Sequence, residues 1–224
     1  MKFTNTGLID FLGKYNHANS SYWYGTIAGQ KASKALYSAK KRQYPAHYGA
    51  SRTAKYNNDI KLNKNVMDCI GAIKGYLMNI NGNYVYQAKY DLGANGMFKK
   101  AKTKGKIKTI PEIPGLGLYK SGHAGVYLGN GKVFEASCFA NGIRIIKLKD
   151  TSFTDWYYIP WIEYPANKED NKELTDEIIT KLAKECIDGV YGNGTARKKK
   201  INALGYGDIY KVVQAKVNEI LKGA

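Results

Sequence analysis

The sequence predicts an α+β fold in which helices come first and an antiparallel sheet follows, with a separate small helical module at the end. Apolar residues recur at helical spacing in the first part of the chain, whereas after residue 120 they alternate with polar residues, as in strands. Beyond residue 172 the helical spacing returns in a polar, charged sequence. These three successive patterns predict the order of the elements.

Three helices are expected before the sheet. The first has one apolar face, formed by Leu8, Ile9, Leu12 and Tyr15. The segment QKASKALYSAKKRQY predicts a second helix with a basic flank. A third begins at or next to Cys69, and its apolar stripe consists of Ile70, Ile73, Tyr76 and Leu77.

The segments HAGVYLG, KVFEAS and GIRIIKL predict three strands of a meander, joined by turns at Gly129-Asn130-Gly131 and Asn141-Gly142. The length of the first loop decides the register. A three-residue loop pairs Gly125 with Glu135 and brings Glu135 to the same face as His123. A two-residue turn would send Glu135 to the opposite face.

The chain is expected to divide into a front domain of residues 1–164, a linker of residues 165–171 and a C-terminal module of residues 172–224. Three short helices in the module make a compact three-helix bundle. The first has a stripe of Leu174, Ile178, Ile179, Leu182, Cys186 and Ile187 and ends at Gly189. The second begins with Thr195 as its cap, and the third begins at Asp208.

The charge of the chain indicates a polyanionic partner. The sequence has 35 Lys and Arg against 18 Asp and Glu, a net charge of +17. Most of this charge lies in residues 1–166, with 24 basic against 9 acidic residues. Nucleic acid, an anionic membrane and an anionic cell wall would each suit such a protein.

The cysteine and histidine content argues against a disulfide framework and against a metal site. Cys69, Cys138 and Cys186 lie far apart without CxxC spacing, and the chain has 3 histidines.

No apolar run reaches the roughly 18 residues that span a bilayer, and the N-terminus lacks a secretory signal pattern. We therefore expect no membrane span and folding in the cytosol.

Two residues are candidates for nucleophilic chemistry. Cys69 follows Asp68 at a helix start, where backbone amides and the macrodipole favour a thiolate. His123 begins a strand after a glycine, as a base near a sheet end would. The alternatives are a small core side chain for Cys69 and an ordinary polar residue for His123. Glu135 either orients the imidazole or is an edge-strand charge.

The segments YWYGT, MDCIGAIKGY and SGHAGVYLGNGKVFEAS resemble the NlpC-type cell-wall peptidases and the related CHAP amidases, which are papain-like cysteine hydrolases. The resemblance covers most of residues 5–164. It implies Cys69 as nucleophile, His123 as general base and Glu135 as orienting residue. It also implies that Tyr22 is the active-site tyrosine beside the nucleophile, and that backbone N–H groups near Cys69 form the oxyanion hole.

The chain departs from these families in three places. Ile70 stands where many relatives have serine in DCSG, and Glu135 leans towards the CHAP pattern. More than 40 residues separate Tyr22 from Cys69, where close relatives of NlpC have a short loop. This insertion, which contains KKRQYPAHYGASR, either shapes the substrate groove and adds charge or is a solvated basic surface.

The segment LAKECIDGVYGNGTARKKKINALGYGDIYKVVQAKVNEIL resembles the short cell-wall-binding repeat at the ends of some phage lysins. The resemblance implies that Tyr191, Gly192 and Arg197 contact a muropeptide. The alternative is that the glycines only turn the chain and that Arg197 is a surface charge.

Together the two resemblances imply a phage or prophage endolysin that cleaves an amide bond in the stem peptide of a Gram-positive wall. An N-acetylmuramoyl-L-alanine amidase with the same residues is the alternative, and an inactive wall-binding or nucleic-acid-binding protein remains from other classes. The expected partners are peptidoglycan and anionic wall polymers, not nucleic acid. The expected location is the host cytoplasm until lysis and the cell wall thereafter.

Overall fold

The computed structural model describes residues 2–80, 82–164, 174–202, 204, 206 and 209–223. The chain forms two compact units, Met1–Glu163 and Tyr164–Ala224. The expected linker, residues 165–171, lies outside the described residues. The described residues form a mixed α+β structure.

The first unit contains helices at the three places where the sequence predicts them and two more that it did not predict. They are α1 (Asn5–Leu12), α2 (Lys34–Gln43), α3 (Thr53–Lys61), α4 (Gly71–Leu77) and α5 (Ala94–Lys100). Short 3-10 helices occur at Pro45–His47, Ala50–Arg52, Ala88–Tyr90, Ile107–Thr109 and Leu148–Asp150. The side chains of Thr4 and Ser33 cap α1 and α2 by accepting hydrogen bonds from backbone N–H groups of the first turn.

The strands of the first unit form one large sheet and three small ones. They are β1 (Phe3–Thr4), β2 (Ser20–Tyr22), β3 (Gln30–Lys31), β4 (Asn65–Met67), β5 (Asn79–Ile80), β6 (Asn83–Tyr84), β7 (Lys104–Lys106), β8 (Gly117–Lys120), β9 (His123–Gly129), β10 (Lys132–Ala136), β11 (Ile143–Lys147), β12 (Asp155–Tyr157) and β13 (Ile162–Glu163). The large antiparallel sheet has the order β11-β10-β9-β8-β12-β7, and the expected meander is its β9–β11 part.

The β9–β10 hairpin reaches the expected register by a different route. Gly129 pairs with Lys132, so the loop is the two-residue turn Asn130-Gly131, with positive φ at both positions. Of the two loop lengths considered, the two-residue turn is the one present. A bulge follows, because the next pairs are Tyr127 with Val133 and Val126 with Phe134. The extra residue restores the register that puts Glu135 on the face of His123.

The segment between Tyr22 and Cys69 is a folded part of the unit with its own aromatic core. Its buried residues are Trp23, Ala32, Tyr48, Tyr56 and Val66. The indole N–H of Trp23 donates a hydrogen bond to Asp59 at 3.0 Å, and both residues are buried. At its two ends, β2 and β4 pair in parallel, so Tyr22 lies beside Met67.

The second unit consists of α6 (Asp176–Ile187), α7 (Gly194–Asn202) and α8 (Tyr210–Lys222), which contribute to one apolar core. That core contains Leu182, Ala183, Cys186, Ile201, Ile209, Val213 and Val217. Thr195 does not cap α7, because this helix already includes Gly194. Asp208 lies outside the described residues. Within the described ranges, no helix is long and apolar enough to cross a membrane.

Candidate active site

The backbone around Cys69 is fixed by its neighbours in the turn between β4 and α4. The carboxylate of Asp68 accepts hydrogen bonds from the N–H of Gly71 at 2.6 Å and of Gly25 at 2.9 Å. A Cβ atom at position 71 would lie 2.0 Å from the carbonyl oxygen of Thr26. Glycine is therefore required there, and its absence of a side chain lets α4 approach the preceding segment.

The thiol of Cys69 is half-buried, and the backbone N–H of Ala124, at the start of β9, acts to lower its pKa. Burial, followed by the carboxylate of Asp68, raises the pKa of the thiol to about 11. Backbone N–H groups of Ala124 and Ile70 oppose this shift but do not cancel it. The expectation that the helix start favours a thiolate is thus wrong, because desolvation outweighs the amides.

His123 and Glu135 form a hydrogen-bonded pair. His123 precedes Ala124 in β9, and its Nε2 lies 2.8 Å from Oε1 of Glu135. Since an ionised carboxylate only accepts hydrogen bonds, Nε2 carries the proton and Nδ1 of the neutral ring is an acceptor. Phe153 lies parallel to the imidazole at a centroid distance of 5.4 Å, which restricts the orientation of the ring.

Arg144 holds Glu135 from the other side, a contact that the sequence analysis missed. Arg144 pairs with Glu135 across β10 and β11, and its Nε and Nη2 each lie 2.7 Å from Oε2. Burial acts to raise the pKa of Glu135, but hydrogen bonds from His123 and Arg144 outweigh it, so the pKa lies below its usual value. The register of the second hairpin was the signal that could have identified Arg144.

Tyr22 also lies at this site, at the end of β2. Burial, followed by the negative charges of Cys69 and Asp68, raises the pKa of its phenol. The phenol therefore keeps its proton and is a hydrogen-bond donor over the physiological pH range. Tyr22 therefore lies near Cys69, and a hydrogen bond joins His123 to Glu135.

Cys69 lines an open cleft of about 490 Å3. Part of its wall comes from the insertion between Tyr22 and Cys69, through Lys40, Gln43 and Tyr44. Another part comes from α4 and the chain that follows it, through Lys74, Tyr84, Tyr86 and Asp91. The insertion therefore contributes to the wall of the cleft that Cys69 lines. Among the residues that the structure describes, no cluster of three or more His, Cys, Asp or Glu side chains could hold a metal ion.

In the second unit, Arg197 closes the turn that follows α6. Its Nε donates to the carbonyl of Gly192 at 2.7 Å, and its Nη2 donates to Asn193 at 2.8 Å and to the carbonyl of Cys186 at 3.2 Å. These bonds give Arg197 a structural role in the loop.

Tyr191 lies in the same loop and donates from its hydroxyl to Glu185 at 2.5 Å. Burial and the Glu185 carboxylate raise the pKa of Tyr191 to about 12. A cavity of about 220 Å3 adjoins it, with Leu204 and Tyr206 also in its wall. Gly192 and Arg197 do not line this cavity, so only one of the three nominated contacts faces it.

Comparison with known families finds a match in the second unit. Residues 180–221 match the CW_7 repeat, a cell-wall-binding repeat, over α7, α8 and most of α6. This match supports a cell-wall-binding C-terminus. No curated protein matches the chain.

Proposed function

We propose that the chain is a bacteriolytic cysteine hydrolase that cleaves an amide bond in the stem peptide of Gram-positive peptidoglycan. The supporting observations are the hydrogen bond of His123 Nε2 to Glu135 and the effect of the backbone N–H of Ala124, the residue after His123, on the pKa of Cys69. This is the order of roles in papain-like cysteine hydrolases. The wall-binding repeat in the same chain supports the cell wall as the polymer on which the cleft would act.

The proposed reaction begins with a neutral thiol, because the pKa of Cys69 is raised to about 11. Nδ1 of His123 accepts the thiol proton as the sulfur attacks the carbonyl carbon of the scissile amide. Glu135, kept ionised by Arg144, stabilises the imidazolium that forms. Backbone N–H groups near Cys69 and the phenol of Tyr22 donate to the oxyanion of the tetrahedral intermediate.

Collapse of the intermediate breaks the carbon–nitrogen bond, and the imidazolium of His123 protonates the leaving amine. The acyl group remains on Cys69 as a thioester. His123 then removes a proton from water, which attacks the thioester and releases a carboxylic acid and the free thiol. The proposed reaction uses side chains and backbone groups of the first unit alone. It requires no metal or organic cofactor.

The second unit and the net charge of +17 would keep the enzyme at the wall. A tethered binding unit raises the effective concentration of the catalytic unit at the polymer. Cationic side chains would add attraction to anionic wall polymers, which salt weakens. We propose a phage or prophage endolysin that stays in the host cytoplasm until lysis.

One observation favours a competing function, a wall-binding protein without catalysis. A thiol whose pKa is raised by burial is the usual state of an unreactive core cysteine.

The amidase reaction is a variant of the main proposal, because the same residues would cleave the bond between peptide and sugar.

The test is the release of amino groups from purified Gram-positive walls by the wild type, Cys69→Ala and Cys138→Ala. We expect Cys69→Ala to sediment with walls but release nothing, and Cys138→Ala to remain active. No release by any of the three proteins would support the binding-only function, whereas equal release by all three would show that Cys69 is not the nucleophile.

A further inference from the structure

Exposed aromatic side chains form part of the wall of the Cys69 cleft. Tyr84 and Tyr86 line it, and their exposed fractions are 40% and 58%. Val85 between them is 42% exposed. Two such rings at the edge of one cleft offer a contact surface to whatever enters it.

Tyr86 is held in place by a chain of polar contacts that leads to α4, the helix that follows Cys69. Its hydroxyl donates to Oδ2 of Asp91 at 3.2 Å, and Oδ1 of Asp91 lies 2.7 Å from Nζ of Lys74. Lys74 lies in α4, and its side chain is only 13% exposed. A ring fixed before binding loses little rotamer freedom when it meets a ligand.

The charged groups in the cleft wall already have partners. Lys74 is paired with Asp91, and Asp68 accepts two backbone N–H bonds. Lys40 donates to Gln43 at 3.1 Å and lies over the ring of Tyr44. The exposed rings of Tyr84 and Tyr86 are available to contact an uncharged ligand group.

We propose that Tyr86, with Tyr84 beside it, forms a subsite for a sugar ring of the wall glycan. The identity of the polymer rests on the proposed function. The negative face of a tyrosine ring complements the C–H face of a pyranose, whereas stem peptides offer small or charged side chains. The sugar at this subsite would orient the attached peptide across Cys69, so that cleavage depends on the glycan.

The experiment uses the full-length Cys69→Ala protein, labelled with 15N, and follows amide signals of Gly25, Gly93 and Gly122 in the cleft. The probes are N-acetylglucosaminyl-N-acetylmuramyl dipeptide and the same dipeptide without sugar. Site-resolved signals separate the cleft from binding to the second unit. We expect the glycosylated probe to shift these signals, with an affinity about tenfold lower after Tyr86→Ala.

Two variants serve as controls. Tyr86→Phe keeps the ring but loses the bond to Asp91, so its affinity should fall between those of the parent and Tyr86→Ala. Leu62→Ala removes a side chain that is 56% exposed and does not line the cleft, so it should bind like the parent.

The proposal is overturned if the glycosylated probe leaves the cleft signals unshifted or binds equally well after Tyr86→Ala. An equal loss for the free dipeptide would also overturn it, in favour of a peptide contact. Because the Cys69→Ala protein is inactive by design, these outcomes are independent of wall hydrolysis by the wild type, which tests the proposed function separately.

Discussion

Arg144 and Glu135 face each other across β10 and β11, with Nε of Arg144 2.7 Å from Oε2 of Glu135. The other carboxylate oxygen is bonded to His123. The guanidinium of Arg144 therefore orients the carboxylate of Glu135, which in turn orients the imidazole of His123. Because the ion pair keeps the pKa of Glu135 low, Arg144 also keeps the carboxylate of Glu135 ionised under mildly acidic conditions.

Replacement of Arg144 should impair turnover more than substrate binding. In Arg144→Gln, Glu135 is less well oriented and protonates at higher pH, so kcat should fall on the order of tenfold with KM little changed. The acidic limb of the pH–rate profile should move to higher pH. Arg42→Gln removes the same charge from α2 and is the matched control. An unchanged acidic limb would show that Arg144 does not act through Glu135.

The same carboxylate should make stability depend on acid pH. In the folded protein the pKa of Glu135 lies below its ordinary value of 4.5. Its contribution to the free energy of unfolding is therefore present above pH 4.5 and is lost as pH falls through the folded pKa. The difference in Tm between wild type and Glu135→Gln should therefore shrink in that window. Glu163→Gln, at an exposed position, should show no such trend. A constant difference at all pH values would contradict the linkage.

Alkylation should report the resting state of Cys69. In the Cys138→Ala background, the reaction with iodoacetamide should be slow at pH 7 and accelerate towards pH 11, because burial and Asp68 raise the pKa of the thiol. Peptide mass spectrometry identifies the modified residue. A rate that already reaches its plateau below pH 7 would instead indicate a resting thiolate paired with imidazolium.

Gly71 should be intolerant of any side chain. The added methyl of Gly71→Ala would meet the carbonyl oxygen of Thr26, so we expect a loss of about 1–3 kcal/mol in the free energy of unfolding. Tryptophan fluorescence in urea suits this measurement, since all three tryptophans (Trp23, Trp156 and Trp161) lie in the first unit. Gly49→Ala is the control, because a methyl group at that position would meet no atom within 4 Å beyond its chain neighbours. If Gly71→Ala and Gly49→Ala were equally stable, the close approach of Gly71 to the carbonyl oxygen of Thr26 would be contradicted.

The loop after α6 should depend on Arg197 for its shape. Arg197→Gln removes the hydrogen bonds to Gly192 and Cys186, so wall binding in a sedimentation assay should weaken several-fold. Lys199→Gln makes the same charge change at an exposed position of α7. An equal loss in both variants would mean that charge, not loop geometry, governs binding.

The sequence was informative where chemistry follows from local pattern. The stripe after Cys69 and the alternation after His123 placed α4 and β9 to β11 close to where they lie. The contacts of Arg144 depend on the register of a second hairpin, which composition does not encode. The bulge beside the Asn130-Gly131 turn is likewise a tertiary feature.

Other features depend on burial, which a single sequence does not reveal. The raised pKa of Cys69 results from packing against β9, whereas local position alone predicts a lowered one. The core around Trp23 is built from tyrosines without regular spacing, and the sequence therefore left its role open.

The most direct test of the central claim follows Cys69 during turnover. Full-length protein is mixed with soluble muropeptides, quenched in acid and analysed by mass spectrometry for cleaved product and for an acyl group on Cys69. The account predicts cleavage of an amide bond together with an acyl adduct on Cys69, and neither in Cys69→Ala. Cleavage by Cys69→Ala at the wild-type rate, or no cleavage of muropeptides or walls by the wild type, would contradict it.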